Sequence, residues 1–125
     1  MFLNHAYTDS PVIHGEAAAD NTAPAMLAFA FDSDGLLATP AAGAFCAGIS
    51  LANADAVKAG DRLDVQVKDG CYWKAGAAIK RGDLLAADAT GKAVKATTGQ
   101  HVLAVALANA ASGNPVEVYI MRTVA

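Results

Sequence analysis

An internal repeat constrains this chain of 125 residues more than any other feature of its sequence. The tetrapeptide Leu51-Ala52-Asn53-Ala54 recurs 56 residues later as Leu107-Ala108-Asn109-Ala110. The same shift carries the turn-forming segment Asp32-Ser33-Asp34-Gly35 onto Asp88-Ala89-Thr90-Gly91. A constant shift across a motif and a turn predicts two copies of one supersecondary unit.

The repeat continues after a gap of three residues. The segment at 60–65, GDRLDV, falls on the segment at 113–118, GNPVEV. We therefore place the two repeats at about residues 15–70 and 71–121, within a single domain that covers 15–125. The length of the chain agrees with one compact domain rather than two large ones.

The hydrophobic pattern of both repeats predicts strands. Leu63, Val65 and Val67 alternate with polar residues, and the second copy repeats this alternation from Val116 to Ile120. A period of two is typical of a strand with one buried face. We expect a mostly β, barrel-like or sandwich-like domain built from two duplicated units.

Alanine is the best helix former, and the chain has 31 alanines. We therefore add one or two short helices to the predicted fold, at 51–59 and within 77–87. The glycines in and after these stretches leave no room for a long helix.

The dipeptide Asp69-Gly70 lies between two apolar runs and predicts a two-residue hairpin that joins the repeats. In that register Val67 faces Tyr72, and Gln66 faces Trp73. The adjacent aromatic residues Tyr72 and Trp73 then have two readings: core packing at the hairpin, or anchors of a contact between subunits.

Residues 1–14 have no counterpart in the second repeat. We interpret them as an extended N-terminal arm, which is either a capping strand or an element that reaches another chain. Its apolar residues are Phe2, Leu3, Tyr7, Val12 and Ile13. Such residues are a liability in solution unless they cover a surface.

Charge is divided unevenly along the chain, although the net charge is only −3. Residues 1–57 carry six acidic residues and no Lys or Arg, whereas residues 58–125 carry six acidic and all nine basic residues. The two halves either remain separately solvated or attract each other head to tail between copies. The bases are scattered, which argues against direct nucleic-acid binding. No apolar run is long enough for a membrane span, and no signal peptide is visible.

The sequence contains no pattern typical of catalysis, cofactor binding or metal binding. The histidines lack metal-ligand spacing, and no serine lies in a nucleophile elbow. Cys46 and Cys71 are single rather than paired in a C-x-x-C motif, so we expect free thiols.

The second repeat resembles the capsid decoration, or cement, proteins of tailed bacteriophages. Its motifs occur in their order: A-G-x-x-I-x-x-G-D at 75–83, D-x-x-G at 88–91, an apolar strand at 102–106 and a closing G-x-x-V-x-V at 113–118. The first repeat resembles a degenerate copy, with Ala25-Met26-Leu27 where the second has Arg81-Gly82-Asp83.

This resemblance implies a structural protein of the virion, without enzymatic activity or cofactor. It implies synthesis in the cytoplasm of a host bacterium and binding to the outer capsid surface. There the protein cements neighbouring major capsid subunits against DNA pressure, as a homotrimer first and a dimer second. The arm residues named above become candidates for capsid contact, and Tyr72 and Trp73 for contact between subunits.

Two alternatives remain open at this point. One is another virion β module, such as a head-fibre base or a tail accessory protein. The other is a small enzyme or carbohydrate-binding module, because a fold does not determine a function.

Overall fold

The computed structural model describes residues 10–125, and all the regular structure in this range is β. The first five strands are β1 (Val12–Glu16), β2 (Ala28–Phe31), β3 (Leu37–Ala38), β4 (Gly48–Ser50) and β5 (Arg62–Gln66). The second five are β6 (Gly70–Lys74), β7 (Leu84–Ala87), β8 (Ala93–Lys95), β9 (His101–Ala106) and β10 (Pro115–Val124). The prediction of a mostly β protein is confirmed.

The ten strands form two antiparallel sheets with the same strand order. The first sheet runs β1-β5-β4-β2-β3, and the second runs β6-β10-β9-β7-β8. Adding five to each strand number converts one order into the other. We call residues 12–66 the first unit and residues 70–124 the second unit.

The sequence shift is reproduced strand by strand. A shift of 56 carries β2 onto β7, and a shift of 53 carries β5 onto the start of β10. Equivalent turns use equivalent hydrogen bonds: the Oδ1 atom of Asp32 accepts from the backbone N of Asp34 at 2.9 Å, and the Oδ1 atom of Asp88 accepts from that of Thr90 at 2.9 Å. An Asp side chain that satisfies its own turn explains why this residue type recurs there.

The two predicted short helices are wrong. Residues 51–59 form turns and a single bridge, and residues 77–87 form a turn followed by β7. Gly82 has a φ of 90°, which a helix does not allow. Ala86 and Ala87 are buried in β7, so the need for small side chains in the sheet overrides the helix propensity of alanine. No membrane-spanning helix occurs among residues 10–125.

The predicted Asp69-Gly70 hairpin is also wrong. β5 pairs with β1 and β4, whereas β6 pairs with β10, so the connection crosses from one sheet to the other. Asp69 has a φ of 68°, as the first residue of a type I′ turn would, but Gly70 lacks the positive φ that the second residue needs and instead begins β6. Consequently neither Val67 and Tyr72 nor Gln66 and Trp73 face each other as strand partners.

The buried apolar residues form two clusters, one within the first unit and one shared by both units. The smaller cluster lies within the first unit and contains Ala17, Leu27, Phe29, Leu37, Ala47, Leu63 and Val65. The larger cluster contains most of the buried residues of the second unit, together with Ala28, Cys46 and Ile49 of the first. The core of the second unit therefore extends onto the first sheet, which holds the two units together.

Candidate interaction surfaces

One face of the second sheet carries exposed apolar side chains. This second-sheet face consists of Tyr72, Leu84, Val105, Leu107 and Tyr119. Val105 of β9 is the register partner of Tyr119 on β10 and of Leu84 on β7, so the three form a row across three strands. Tyr72 and Tyr119 are about half exposed, at 51% and 49%. Aromatic residues at exposed positions of a sheet are typical of protein–protein contact surfaces.

The alternation along β10 produces this face. Val116 and Val118 are fully buried in the core, and Glu117 and Tyr119 point to the opposite side. An outward position in such a strand is ordinarily polar, and Glu117 follows that rule. Tyr119 does not, which was the signal in the sequence that could have identified this surface.

The equivalent face of the first sheet is polar where it is exposed. We call it the first-sheet face, and its positions are His14, Ala28, Ile49, Leu51 and Gln66. His14 is the register partner of Asp64, and its Nδ1 atom lies 2.8 Å from the Oδ1 atom of Asp64. The Nε atom of Arg62 donates to the same oxygen at 3.0 Å. Burial alone would raise the pKa of Asp64, but hydrogen bonds from Arg62 and His14 outweigh it and lower that pKa.

The apolar part of the first-sheet face is covered by the second unit. Ala28 and Ile49 are completely buried in the larger cluster. The backbone N of Ala28 donates to the carbonyl O of Gly91 at 2.8 Å, and the N of Lys74 donates to the carbonyl O of Met26 at 2.9 Å. The second unit therefore adds backbone hydrogen bonds as well as apolar contact.

Gly91 is required at this junction for two reasons. It has a φ of 87°, and a Cβ atom there would lie 2.6 Å from the carbonyl O of Ala28. Its equivalent, Gly35, also has a positive φ, but nothing lies within 4 Å of a Cβ atom placed there. The Asp88–Gly91 turn is thus packed against the other unit, whereas the Asp32–Gly35 turn is open.

A second junction is made by Arg122, which lies in the irregular part of β10 between Ile120 and Thr123. Its guanidinium donates to the carbonyl O of Cys46 at 2.5 Å and to that of Ala47 at 2.6 Å. It also lies 5.1 Å from the ring centre of Phe45, which makes an edge contact with His101. Burial lowers the pKa of Arg122, and the guanidinium still satisfies two carbonyls of the first unit.

The two cysteines are free thiols in apolar surroundings. Cys46 belongs to the larger cluster, and Cys71 packs against it. Burial raises the pKa of each thiol to about 11, so neither is a reactive thiolate at neutral pH.

The residues proposed for interaction from the sequence lie in different places. Trp73 is completely buried, and its Nε1 atom donates to the carbonyl O of Gly91 at 2.8 Å, so it is a core residue and not an exposed anchor. Its neighbour Tyr72 is on the second-sheet face. Val12 and Ile13 lie in β1, paired with β5 of their own chain. Phe2, Leu3 and Tyr7 fall outside the described residues.

The part of the chain that the structure describes contains no group of three or more His, Cys, Asp or Glu placed to hold a metal ion. A hollow of about 500 Å³ opens beside the Lys58–Asp61 turn, lined by residues that include Asp55, Asp61 and Asp64. Asp61 accepts a hydrogen bond from the backbone N of Lys58 at 2.9 Å and so serves its own turn. Asp64 is held by Arg62 and His14, as described above.

A solved structure has the same fold. The N base of the head fiber gp8.5 of bacteriophage phi29 matches with a TM-score of 0.68 and 23% sequence identity, over 91% of this chain and 96% of that chain. At this identity the likeness concerns the fold. No curated protein sequence matches significantly.

The family comparison extends over most of both units. The model of a phage cement protein family matches residues 33–122, from the Asp32–Gly35 turn into the last strand. This range is more than half of the chain and includes each motif of the second repeat described above. The chain therefore belongs to the phage cement protein family, whose members are structural proteins of the virion.

Proposed function

We propose that this virion protein binds the outer surface of the capsid and ties neighbouring major capsid subunits together. The observation that carries the proposal is the family match, which spans strands of both units. A protein that contacts two coat subunits at once binds only the assembled arrangement and therefore stabilises it by mass action. In this role it opposes the outward pressure of packaged DNA.

The proposed assembly is a homotrimer, with a dimer as the second choice. The second-sheet face supports self-association, because it leaves two tyrosines and two leucines substantially exposed on one protomer. Linked copies also hold several capsid contacts near one another, which raises the overall affinity without new contacts. The exposed part of the first-sheet face, with His14 and its bond to Asp64, is polar and needs no such cover.

For the capsid contact itself we propose the residues before β1. Val12 and Ile13 are occupied by pairing with β5, and the carbonyl O of Pro11 accepts from the backbone N of Val67 at 2.7 Å. The candidates that remain are Phe2, Leu3 and Tyr7. A segment with these residues can bind a coat protein through apolar side chains and main-chain hydrogen bonds.

A truncation that removes residues 1–9 tests this attachment. It leaves β1 and its contacts intact, so the described domain is expected to fold as before. Binding to purified capsids without decoration is measured by co-sedimentation. We expect the truncated protein to bind at least tenfold more weakly, as for the loss of a cluster of apolar anchors.

A matched pair of full-length variants separates side-chain loss from shortening. One replaces Phe2, Leu3 and Tyr7 by Ser, and the control replaces Asn4 and Thr8 by Ala. Weak binding of the first variant and normal binding of the second support the proposal. Normal binding of both would move the capsid contact onto the β domain.

A head-fibre base is the second candidate function, and the likeness to the phi29 fiber base supports it. Copy number distinguishes the two. A cement protein is present in numbers comparable to the coat protein, whereas a fibre base occupies fewer sites. Quantitative mass spectrometry of purified particles measures this ratio directly.

We further propose synthesis in the host cytoplasm, as for other components of a phage particle. The free thiols Cys46 and Cys71 suit a reducing compartment. Mass measurement of freshly prepared particles without reductant is expected to find both thiols reduced.

A further inference from the structure

We propose that copies of this chain associate head to tail, with the Asp32–Gly35 turn of one copy seated against the second-sheet face of the next. This inference rests on the homo-oligomer in the proposed function and specifies its contact. It comes from the duplication. Within a chain, a turn of the second unit packs on the first sheet. The equivalent turn of the first unit and the equivalent face of the second sheet are both exposed.

The used half lies inside the chain. The Asp88–Gly91 turn of the second unit packs on Ala28 of the first, with Ile49 buried in the same cluster. The unused half is formed by the equivalent residues. The Asp32–Gly35 turn is open, and Leu84, which corresponds to Ala28, is 38% exposed.

The side chains at the unused positions suit a contact between chains. Phe31, which precedes the open turn, is 52% exposed. Its equivalent in the second unit is Ala87, which is buried and accepts a hydrogen bond from the backbone N of Gly43 of the first unit at 2.8 Å. A large apolar residue on the open turn and an apolar face on the other unit can cover each other.

Charge agrees with this pairing. Asp32 and Asp34 are part of the open turn, in the half of the chain that has no Lys or Arg. Lys80 and Arg81 are both exposed and come shortly before Leu84. Bringing the open turn to Leu84 therefore places acidic residues near Lys80 and Arg81, which outnumber the one acidic residue beside them, Asp83.

The geometry of such a contact is heterologous, because two different surfaces meet. A heterologous contact closes into a ring when its rotation allows, and it otherwise grows without limit. In a ring of three chains, six similar units follow one another, alternately joined within a chain and between chains.

Cysteine cross-linking of the free protein tests the pairing. Single variants Asp34→Cys and Leu84→Cys are prepared, mixed in equal amounts and oxidised. The thiol at 46 is buried and the thiol at 71 is partly buried, so their cross-linking is measured on the unmodified protein as a background. We expect the mixture to yield a cross-linked dimer and each single variant to yield little.

The double variant Asp34→Cys/Leu84→Cys tests closure. A covalent ladder that ends at three chains supports the ring, and a ladder that continues upward overturns it. A control pair combines Leu84→Cys with Lys58→Cys, which lies on another turn of the first unit, and is expected to cross-link poorly. Efficient linking of Leu84→Cys to itself would indicate two second-sheet faces in contact and would overturn the proposal.

Sedimentation of point variants provides a second measurement. Phe31→Ser and Leu84→Lys change exposed residues, and folding is checked by circular dichroism. We expect each to weaken self-association about tenfold or more, and Lys58→Ser, an exposed residue on another turn of the first unit, to leave it unchanged. A monomer at all concentrations for the unmodified protein would overturn the contact. Capsid binding is measured separately, so failure there concerns the proposed function and not this pairing.

Discussion

The two units share one strand order and differ most in the fate of one face. At the position of Ala28 and Ile49 the first sheet is sealed by the second unit, whereas Leu84 and Val105 of the second sheet lie at the surface. The exposed parts differ as well, with His14 and Asp64 on one sheet and Tyr72 and Glu117 in the same register on the other. A duplicated fold thus keeps its hydrogen-bond pattern while each copy acquires its own surface.

The cores of the two units have also diverged, with a larger residue at one position offset by a smaller residue at its neighbour. In the first unit Gly15 lies beside Leu37, and a Cβ atom at Gly15 would lie 2.6 Å from the Cδ1 atom of Leu37. The equivalent pair in the second unit is Trp73 and Ala93, both completely buried. A large residue has been exchanged between the two positions, so each unit fills its core with a different member of the pair.

The largest expected effect is that of Trp73→Ala. The substitution leaves a cavity and removes the hydrogen bond to the carbonyl O of Gly91. We expect the free energy of unfolding to fall by about 3–5 kcal/mol. Chemical denaturation followed by circular dichroism measures this change. Tyr72→Ala, next in the chain but exposed, is the control, and a similar loss there would contradict our assignment.

Gly91→Ala and Gly35→Ala form a matched pair with the next largest difference. Both impose a positive φ on alanine, which costs about 1 kcal/mol. Only Gly91→Ala adds a clash with the backbone of Ala28, and overpacking costs a further 1–3 kcal/mol, roughly. We expect thermal denaturation to rank Gly91→Ala well below Gly35→Ala. Equal melting temperatures would mean that the units do not meet at this turn.

Met26 and Gly82 give a smaller difference. They are equivalent positions, and Met26 adopts a φ of 57° without being glycine, while its carbonyl O accepts from Lys74 of the second unit. We expect Gly82→Ala to destabilise by about 1 kcal/mol. Met26→Gly relieves backbone strain in the folded protein but increases the conformational entropy of the unfolded chain. The two effects oppose each other, so the free energy of unfolding should change by no more than about 0.5 kcal/mol. Urea midpoints of the two variants provide the comparison.

Asp64→Asn should have the smallest effect. Its partners His14 and Arg62 are largely exposed, and exposed ion pairs contribute about 0.5 kcal/mol. Because the folded protein lowers the pKa of Asp64, this stabilisation is complete above the ordinary aspartate pKa and is lost as the pH falls through the lowered one. Stability measured against pH should therefore converge for wild type and variant in acid. Glu117→Gln, at the equivalent position facing Tyr72, is the control.

The duplication and the strands were predictable because each produces a regular sequence pattern: a constant shift of 56 residues for the duplication and a period of two for the strands. The repeated turn at Asp32 and Asp88, for example, is encoded locally by an Asp side chain that bonds its own backbone. The partners of the strands were not predictable in the same way. Asp69-Gly70 has the residues of a hairpin, but β5 and β6 find better partners at a distance of about 50 residues in the chain.

The site was predictable only in part for a related reason. Tyr72 and Trp73 were selected together for their aromatic side chains, and the sequence left core packing and subunit contact open for both. The structure exposes Tyr72 and buries Trp73, because the surroundings of each depend on which sheet β6 joins. Tyr119 and Leu84 become recognisable as one surface only when the register places both beside Val105. Leu84 is exposed, whereas its equivalent Ala28 is covered by the second unit. A local sequence pattern carries no information about which of the two sheets is covered.

The pairing of β1 with β5, and of β6 with β10, has a consequence for how the chain reaches its native state. Each sheet closes only after its last strand has been made, so these ladders form at high contact order and fold slowly, on the scale of about milliseconds to seconds. During synthesis the first unit can complete its sheet once residue 66 is available. Its apolar patch at Ala28 and Ile49 then stays uncovered until the second unit follows. Along that route the short connection between β5 and β6 keeps the second half of the same chain close to this patch, which favours its cover by that half over aggregation.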